Sequence, residues 1–192
     1  MFNKDYWKSS AIKLKSIRFL ALMAAFIAMK IIVGSIYIPV AQNLRIGINF
    51  AVVAVEAAIM GPVAGIVSAA IADILGFMMF PSGPFFLGYT LTAMAGSFVY
   101  AILFYQQRIT ITRIAIAKII NNYLVNVLMG SVWSAMLYDK AFIVYAANSA
   151  IKNTLLLPAE ILLLTVVFNL LTPVLVKKQL IKDPGKLPIR WK

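Results

Sequence analysis

Cysteine and histidine are both absent from this sequence of 192 residues, and acidic side chains number only six. Without cysteine the chain has neither disulfides nor thiol nucleophiles. Without histidine it has neither imidazole metal ligands nor imidazole proton relays. We therefore expect no cofactor and no metal site.

Apolar residues are abundant, since 62% of the chain is hydrophobic and only 12% is charged. A soluble domain is typically about 45–50% apolar and about 25% charged, which excludes a soluble enzyme or a nucleic-acid-binding domain. A membrane-spanning helix needs about 20 apolar residues, so the length allows roughly five to seven spans. We predict one integral membrane domain over residues 1–192. We expect no cleavable signal, because the first 18 residues are polar and basic.

Hydrophobic runs and turn-forming residues divide the chain into six predicted transmembrane helices, an all-α fold. The runs cover residues 17–40, 47–60, 63–80, 87–105, 110–138 and 142–176. Gly61-Pro62 separates the short second span from the third. Pro158 and Pro173 are expected to kink or end the long sixth span locally.

The basic residues predict the orientation. Most of the 18 basic side chains lie in the N-terminal segment, in the loop between spans four and five, and in the C-terminal segment. The opposite side carries only Arg45 and Lys140. Because basic loops remain cytoplasmic, we expect both termini in the cytoplasm and the protein in the cell membrane. The net charge of +12 follows from this topology rather than from nucleic-acid binding.

The sixth span carries an ionisable residue near its middle, Lys152, with Asn148 one turn before it. Ser149, Asn153 and Glu160 form a neighbouring polar stripe. A charge at this depth costs at least about 2.5–3.5 kcal/mol and persists where it meets a partner or a water-filled cavity. We predict that Lys152, Asn148 and Asn153 contact a substrate. The alternative is a buried pair of Lys152 with Glu160 or Asp73 that only holds helices together.

The fifth span has a second polar stripe formed by Lys118, Asn122, Asn126 and Trp133. The amides match the donors and acceptors of a heterocycle, and the indole can stack on it. We predict that Asn122, Asn126 and Trp133 bind substrate, although asparagines within spans often serve only to join helices. Lys118 lies close to the cytoplasmic end and is expected to snorkel.

The loop after the third span, residues 81–86, is uncharged and rich in proline and glycine. We predict that it covers a cavity as a lid, with Phe85 and Phe86 as aromatic contacts. The alternative is a re-entrant packing loop without a ligand. Arg45, just outside the first span, would pair with an anionic ligand or with lipid headgroups.

The first span carries small residues at helical spacing. They are Ala21, Ala24, Ala25 and Ala28. Such a flat surface allows another helix to approach closely. We predict that it couples this chain to another subunit.

The size, the basic ends and this alanine pattern resemble the substrate-binding S components of energy-coupling factor (ECF) vitamin transporters. The stretch from Ala72 to Thr92 is similar to the folate family of S components, and it contains Asp73, Pro81-Ser82-Gly83-Pro84, Phe85-Phe86 and Tyr89. Three further segments fit the same family: Leu44-Arg45-Ile46, Ile151-Lys152-Asn153 and Pro158-Ala159-Glu160. One difference is that folate-family members often carry an arginine late in the first span, where the nearest basic residue here is Lys30.

The resemblance implies a binding subunit, not an enzyme, that captures folate from the outside and topples in the membrane to carry it inward. It also implies a transmembrane coupling subunit and two cytoplasmic ATPases as partners, since the chain has no G-x-x-x-x-G-K-[ST] nucleotide motif of its own. The alternatives are an S component for another vitamin or for a queuosine precursor, and a secondary carrier that works alone. An intramembrane enzyme with Asp73 and Glu56 as an acid pair is a further alternative.

Overall fold

The computed structural model of the protein describes residues 4–41, 44–81, 83–138, 141–183, 185 and 189, which form two units. The first unit extends to Tyr105 and the second begins at Gln106. The first contains α1 (Lys4–Lys13), α2 (Ile17–Ser35), β1 (Ile38–Ala41), β2 (Leu44–Ile46), α3 (Asn49–Met79) and α4 (Leu87–Phe104). The second contains α5 (Ile111–Ile120), a π-helix (Asn121–Met129), α6 (Gly130–Tyr138) and α7 (Phe142–Lys177).

Within the described residues, five helical segments are long and apolar enough to cross a membrane. They are Ile17–Ser35, Asn49–Met79, Leu87–Phe104, Ile111–Leu137 and Phe142–Lys177. The predicted class, a helical protein with several apolar spans, is confirmed. The predicted second and third spans are the two halves of α3.

Helix α2 ends at Ser35, five residues before the predicted end of the first span at residue 40. The chain instead becomes extended at Ile36, and β1 pairs with β2 in an antiparallel hairpin. Pro39 explains the difference, because a proline disfavours helical geometry in the residue before it and has no N–H to donate. This short hairpin is an addition to the predicted all-α fold.

Helix α3 is interrupted at Gly61, whose φ of 79° and ψ of −175° are not helical. A Cβ atom at this position would lie 2.8 Å from the ring of Tyr105. Glycine therefore meets both requirements here, a left-handed φ and a close approach. Pro62 follows as the first residue of the second half, where its missing N–H costs little. The predicted break at Gly61-Pro62 is confirmed.

Helix α1 lies across this break and was not predicted from the sequence. The Ser10 hydroxyl donates to the carbonyl oxygen of Met60 at 2.8 Å and accepts from the N–H of Val63 at 3.0 Å. The Lys13 ammonium group donates to the carbonyl oxygen of Ile59. Two polar side chains thus satisfy backbone groups that the interruption leaves without helical partners.

Helix α7 packs against α5, the π-helix and α6. It agrees with the predicted sixth span at both ends to within one residue. The helix continues through Pro158 and Pro173, so the expectation that these prolines could end it is wrong. Neighbouring helices and hydroxyl side chains often compensate for the hydrogen bonds that a proline removes from a membrane helix.

Candidate binding site

A chain of hydrogen bonds joins the polar residues of the π-helix to those of α7. Asn122 Nδ2 donates to Glu160 Oε2 at 2.7 Å and to the carbonyl oxygen of Asn153 at 3.3 Å. Asn126 Nδ2 reaches Asn153 Oδ1 at 3.5 Å. Asn153 Nδ2 in turn donates to the backbone oxygen of Ser149 at 2.8 Å. We call these five residues, together with Lys118, the polar cluster.

Lys118 forms an ion pair with Glu160 in this cluster, with 3.0 Å between Nζ and Oε2. The side chain of Lys118 is only 2% exposed and that of Glu160 is 17% exposed. The expectation that Lys118 snorkels to the membrane surface is therefore wrong. An unpaired ammonium group in the low-dielectric interior would cost several kcal/mol, and the carboxylate opposite offsets that cost.

The π-helix carries two of the three amides of the cluster, Asn122 and Asn126. Wide turns of this kind are rare, and they occur frequently at functional sites. Asn121, the first residue of the π-helix, donates from Nδ2 to the carbonyl oxygen of Ala117 at 3.1 Å. The following residue, Asn122, is completely buried and directed at α7.

A fully buried acceptor of the cluster, Asn122 Oδ1, has no hydrogen-bond partner within the described part of the chain. The assignment of the amide is supported by its neighbours, because both partners of Nδ2 are oxygens that only accept. A buried carbonyl oxygen without a donor costs about 1–3 kcal/mol. A donor such as an N–H group would satisfy this oxygen.

The other three predicted contacts of this unit lie on α6 and α7. Trp133 is on α6 and is half-buried. Lys152 is on α7 and is half-buried, whereas Asn148, one turn earlier, is exposed. Glu160 forms an ion pair with Lys118, and Lys152 also interacts electrostatically with Glu160. The alternative role of Lys152, in which it only holds helices together, therefore stays open.

The first unit contains the other predicted contacts. Phe85 is 47% exposed and its ring lies 5.1 Å from that of Phe77. The ring of Phe86 lies 6.2 Å from that of Tyr89 in an edge-on arrangement. Ser82, between the two prolines of this loop, lies outside the described residues. The backbone of Arg45 is in β2, opposite Pro39.

The sequence reasoning missed a second buried ion pair, in which Lys30 Nζ lies 2.6 Å from Glu56 Oε2. Their side chains are 3% and 0% exposed. Ser68 accepts from Lys30 at 2.9 Å and donates to Glu56, so it bridges the two charges. Two buried residues of opposite charge on adjacent spans are the signal that would have predicted the pair. Asp73, the other half of the suggested acid pair, accepts instead from Thr90 at 2.7 Å.

The alanine surface of α2 faces away from the rest of its unit. Ala21, Ala24, Ala25 and Ala28 are all exposed. The buried side chains of α2 are Met23, Phe26, Lys30 and Ile31. At 100° per residue, the centres of these two groups lie on opposite sides of the helix.

Five helical segments of membrane length within the described residues, and a buried ion pair in each unit, indicate a polytopic membrane protein. The family profile described as "ECF-type riboflavin transporter, S component" matches residues 11–177. The chain belongs to this family of ECF transporter S components, which bind substrates and are not enzymes. The membership expected from the sequence is thus confirmed.

Two relatives and one solved structure define the similarity further. The folate transporter FolT of Clostridium novyi is 34% identical over 76% of this chain and 84% of the relative. FolT of Leuconostoc mesenteroides is 26% identical over 62% of this chain and 67% of the relative. A crystal structure of FolT bound with folic acid superposes with a TM-score of 0.70 at 23% identity, covering 76% of this chain and 88% of that one. This last similarity concerns the fold.

Proposed function

We propose that this S component captures folate from the outer side of the cell membrane for ATP-driven uptake. The observation that carries the proposal is the 34% identity with the folate transporter of Clostridium novyi over most of that protein. The buried polar cluster of the second unit supports the proposal, because a solute-binding subunit needs a few fixed polar groups within apolar walls.

The polar cluster has the chemistry that a pterin ring requires. A pterin presents amino and ring N–H donors along one edge, and Asn122 Oδ1 and the Glu160 carboxylate offer acceptors. Asn126 and Asn153 add amide groups beside them. Trp133 is proposed to stack on the ring, and Lys152 and Asn148 are proposed to contact the polar remainder of the ligand, including the carboxylates of its glutamate tail.

The first unit is proposed to supply contacts of its own. Phe85 exposes about half of its surface on the uncharged loop that follows α3, as expected of an aromatic lid residue. Phe86 is proposed to act with it, and Arg45 to pair with an anionic group of the ligand. Alanine at both phenylalanines should weaken binding if they contact folate.

The basic residues support an orientation with both termini in the cytoplasm. Counting the halves of α3 separately, the chain would then have six membrane segments. At about 1.5 Å per residue, the first half, residues 49–60, is only about 18 Å long. The membrane is proposed to be the cell membrane, and the chain is proposed to act there as a single functional domain.

Energy is proposed to come from partners, namely a transmembrane coupling subunit and two cytoplasmic ATPases. The exposed alanine surface of α2 is the proposed contact with the coupling subunit. Small side chains permit close helix packing in lipid, where hydrophobicity provides no drive for helices to associate.

Riboflavin is a second candidate ligand, because the family profile that matches the chain carries its name. Titration of the purified full chain with folate and with riboflavin distinguishes the two, together with mass spectrometry of small molecules that co-purify. We expect folate to bind and to co-purify. Tight binding of riboflavin without folate binding would favour the second candidate, and a co-purifying queuosine precursor would favour neither. Uptake that persists without the ATPases would indicate a secondary carrier.

A further inference from the structure

A basic cavity of about 500 Å³, open on one side, lies in the second unit, where α5 begins and the chain leaves α7. Its lining residues are Gln106, Gln107, Arg108, Arg113, Lys182 and Asp183. Three basic side chains and one carboxylate give the lining a net charge of +2.

Helix-capping structure brings these charges together from two distant parts of the sequence. Helix α7 ends in a Schellman motif, in which the N–H of Leu180 donates to Leu175 and the N–H of Gln179 donates to Val176, both at 2.9 Å. Gln179 has the left-handed φ of 55° that this motif requires, and the turn leads directly to Lys182. At the start of α5, Thr110 Oγ1 accepts from the N–H of Arg113 at 3.3 Å and fixes that turn.

The chemistry of the lining fits a phosphate group. Guanidinium groups such as those of Arg108 and Arg113 bind phosphate oxygens through paired, charge-assisted hydrogen bonds. Lys182 adds a point charge, and the glutamine side chains add neutral donors. The carboxylate of Asp183 already accepts from the N–H of Gly185 at 2.8 Å. Three cations that share a concave surface repel one another, and a bound anion removes that repulsion.

We propose that this cavity binds the phosphate group of an anionic phospholipid of the cytoplasmic leaflet. The proposal rests on the orientation proposed above, which places the loop after α4 and the C-terminal segment on that side, and it does not depend on which vitamin is bound. Anionic lipids concentrate in the cytoplasmic leaflet and bind basic pockets beside membrane helices. Inorganic phosphate shares this chemistry and is the other possible source of the anion.

Native mass spectrometry of the full chain in detergent tests the proposal, with phosphatidylglycerol and phosphatidylcholine titrated separately. We expect the first phosphatidylglycerol to bind at least about tenfold more tightly, since each basic side chain near an anionic lipid contributes roughly a fivefold gain. The triple variant Arg108→Gln, Arg113→Gln, Lys182→Gln should lose this preference. A control variant removes three exposed charges elsewhere, Lys15→Gln, Lys177→Gln and Lys178→Gln, and should keep it.

An equal affinity of the unmodified chain for both lipids would overturn the proposal, and so would an equal loss of preference in the triple and control variants. If inorganic phosphate abolishes the preference for phosphatidylglycerol and itself binds tightly, the assignment to a lipid is wrong. Arg108→Gln alone changes one exposed side chain and keeps the test valid if the triple variant misfolds. Folate binding should be unchanged in every variant, so failure of folate binding in the unmodified chain would leave the lipid result intact.

Discussion

The hydroxyl of Ser10 bridges the interruption of α3, donating to the carbonyl oxygen of Met60 on one side and accepting from the N–H groups of Val63 and Ala64 on the other. Ser10 is completely buried, so water does not compete for these bonds. Helix α1 therefore stabilises the interruption within α3, and the hydrogen bonds of Ser10 depend in turn on that interruption. The first prediction concerns Gly61, the residue at the break.

Replacing Gly61 by alanine should destabilise the protein by about 2 kcal/mol or more. The residue has a φ of 79°, and its new Cβ would lie 2.8 Å from the Tyr105 ring and 2.9 Å from Ser10 Oγ. Thermal unfolding in detergent measures the effect. Gly130→Ala is the matched control, because a Cβ at that helical position meets nothing within 4 Å. The control should be neutral or stabilising by about 0.5–1 kcal/mol. Equal effects of the two substitutions would contradict this account of the break.

Lys13 of helix α1 should make the stability of the protein depend on pH. Burial lowers the pKa of its ammonium group from 10.5 to about 8. Between pH 8 and 10.5 the unfolded chain binds this proton and the folded chain does not. Stability should therefore rise with pH in that window. Tyr6, whose pKa is raised to about 12 by burial and by Tyr105, reverses the trend above pH 10, so measurements belong between pH 8 and 10.

The measurement is the unfolding midpoint of the unmodified chain and of Lys13→Met at several values of pH within that window. We expect the midpoint of the unmodified chain to rise relative to that of the variant. Lys15→Met, at an exposed position two residues away, is the control and should follow the unmodified chain. A flat difference between the unmodified chain and Lys13→Met would show that Lys13 keeps its ordinary pKa.

The sequence predicted those parts of the fold that depend on local signals. The ends of α4 and α7 follow from the limits of apolar runs, and the break in α3 follows from Gly61-Pro62. Helix α1 was missed because its stability depends on distant partners, Met60 and Tyr105 among them. No local pattern of charge or hydropathy in ten mixed residues indicates such contacts.

The candidate site shows the same limit. The asparagines at 122, 126 and 153 were identified because polar residues within spans are rare and costly. The partner of Lys118 was not identified, because Glu160 is far away in the sequence and periodicity within one helix does not reveal the neighbouring helix. The π-helix was also missed, since its change of hydrogen-bond register leaves no simple pattern in composition.

The buried pair of Lys30 and Glu56 predicts strongly unequal effects of single and double substitution. Lys30→Met or Glu56→Met alone leaves one charge in the interior without its counter-ion and should cost about 3–5 kcal/mol. The double variant Lys30→Met, Glu56→Met should be more stable than Lys30→Met alone, because no charge remains buried. Thermal unfolding of the single and double variants measures the coupling. Additive effects would mean that the two side chains do not stabilise each other.

Lys152 is predicted to contact the ligand rather than only to hold helices together. Lys152→Met should weaken folate binding roughly tenfold to a hundredfold, because a hydrogen bond to a charged group contributes about 1.5–3 kcal/mol. Titration of the purified full chain measures it. Lys177→Met, at the exposed end of the same helix, should bind normally. Normal folate binding by Lys152→Met with a much lower unfolding temperature would assign Lys152 a structural role instead.

The alanine surface of α2 gives the last prediction, which separates coupling from binding. Ala24 and Ala28 lie one turn apart and are exposed, on the side opposite the buried residues Phe26 and Lys30. Tryptophan at both positions would hold an approaching helix away, and close packing in lipid depends on small side chains. Because neither alanine is packed inside the unit, the fold and folate binding of the isolated subunit should be nearly unchanged.

Association with the coupling subunit, and with it ATP-driven uptake, should be lost in Ala24→Trp, Ala28→Trp. Two assays on the same variant distinguish the steps: folate titration of the purified subunit, and co-purification with the transmembrane partner. Met29→Trp, at an exposed position of α2 outside the alanine surface, controls for the mere addition of an indole and should retain both activities. If the double variant still co-purifies and transports, the alanine surface faces lipid and the coupling contact lies elsewhere. If folate binding is lost as well, these alanines pack against another part of the subunit and are needed for its fold.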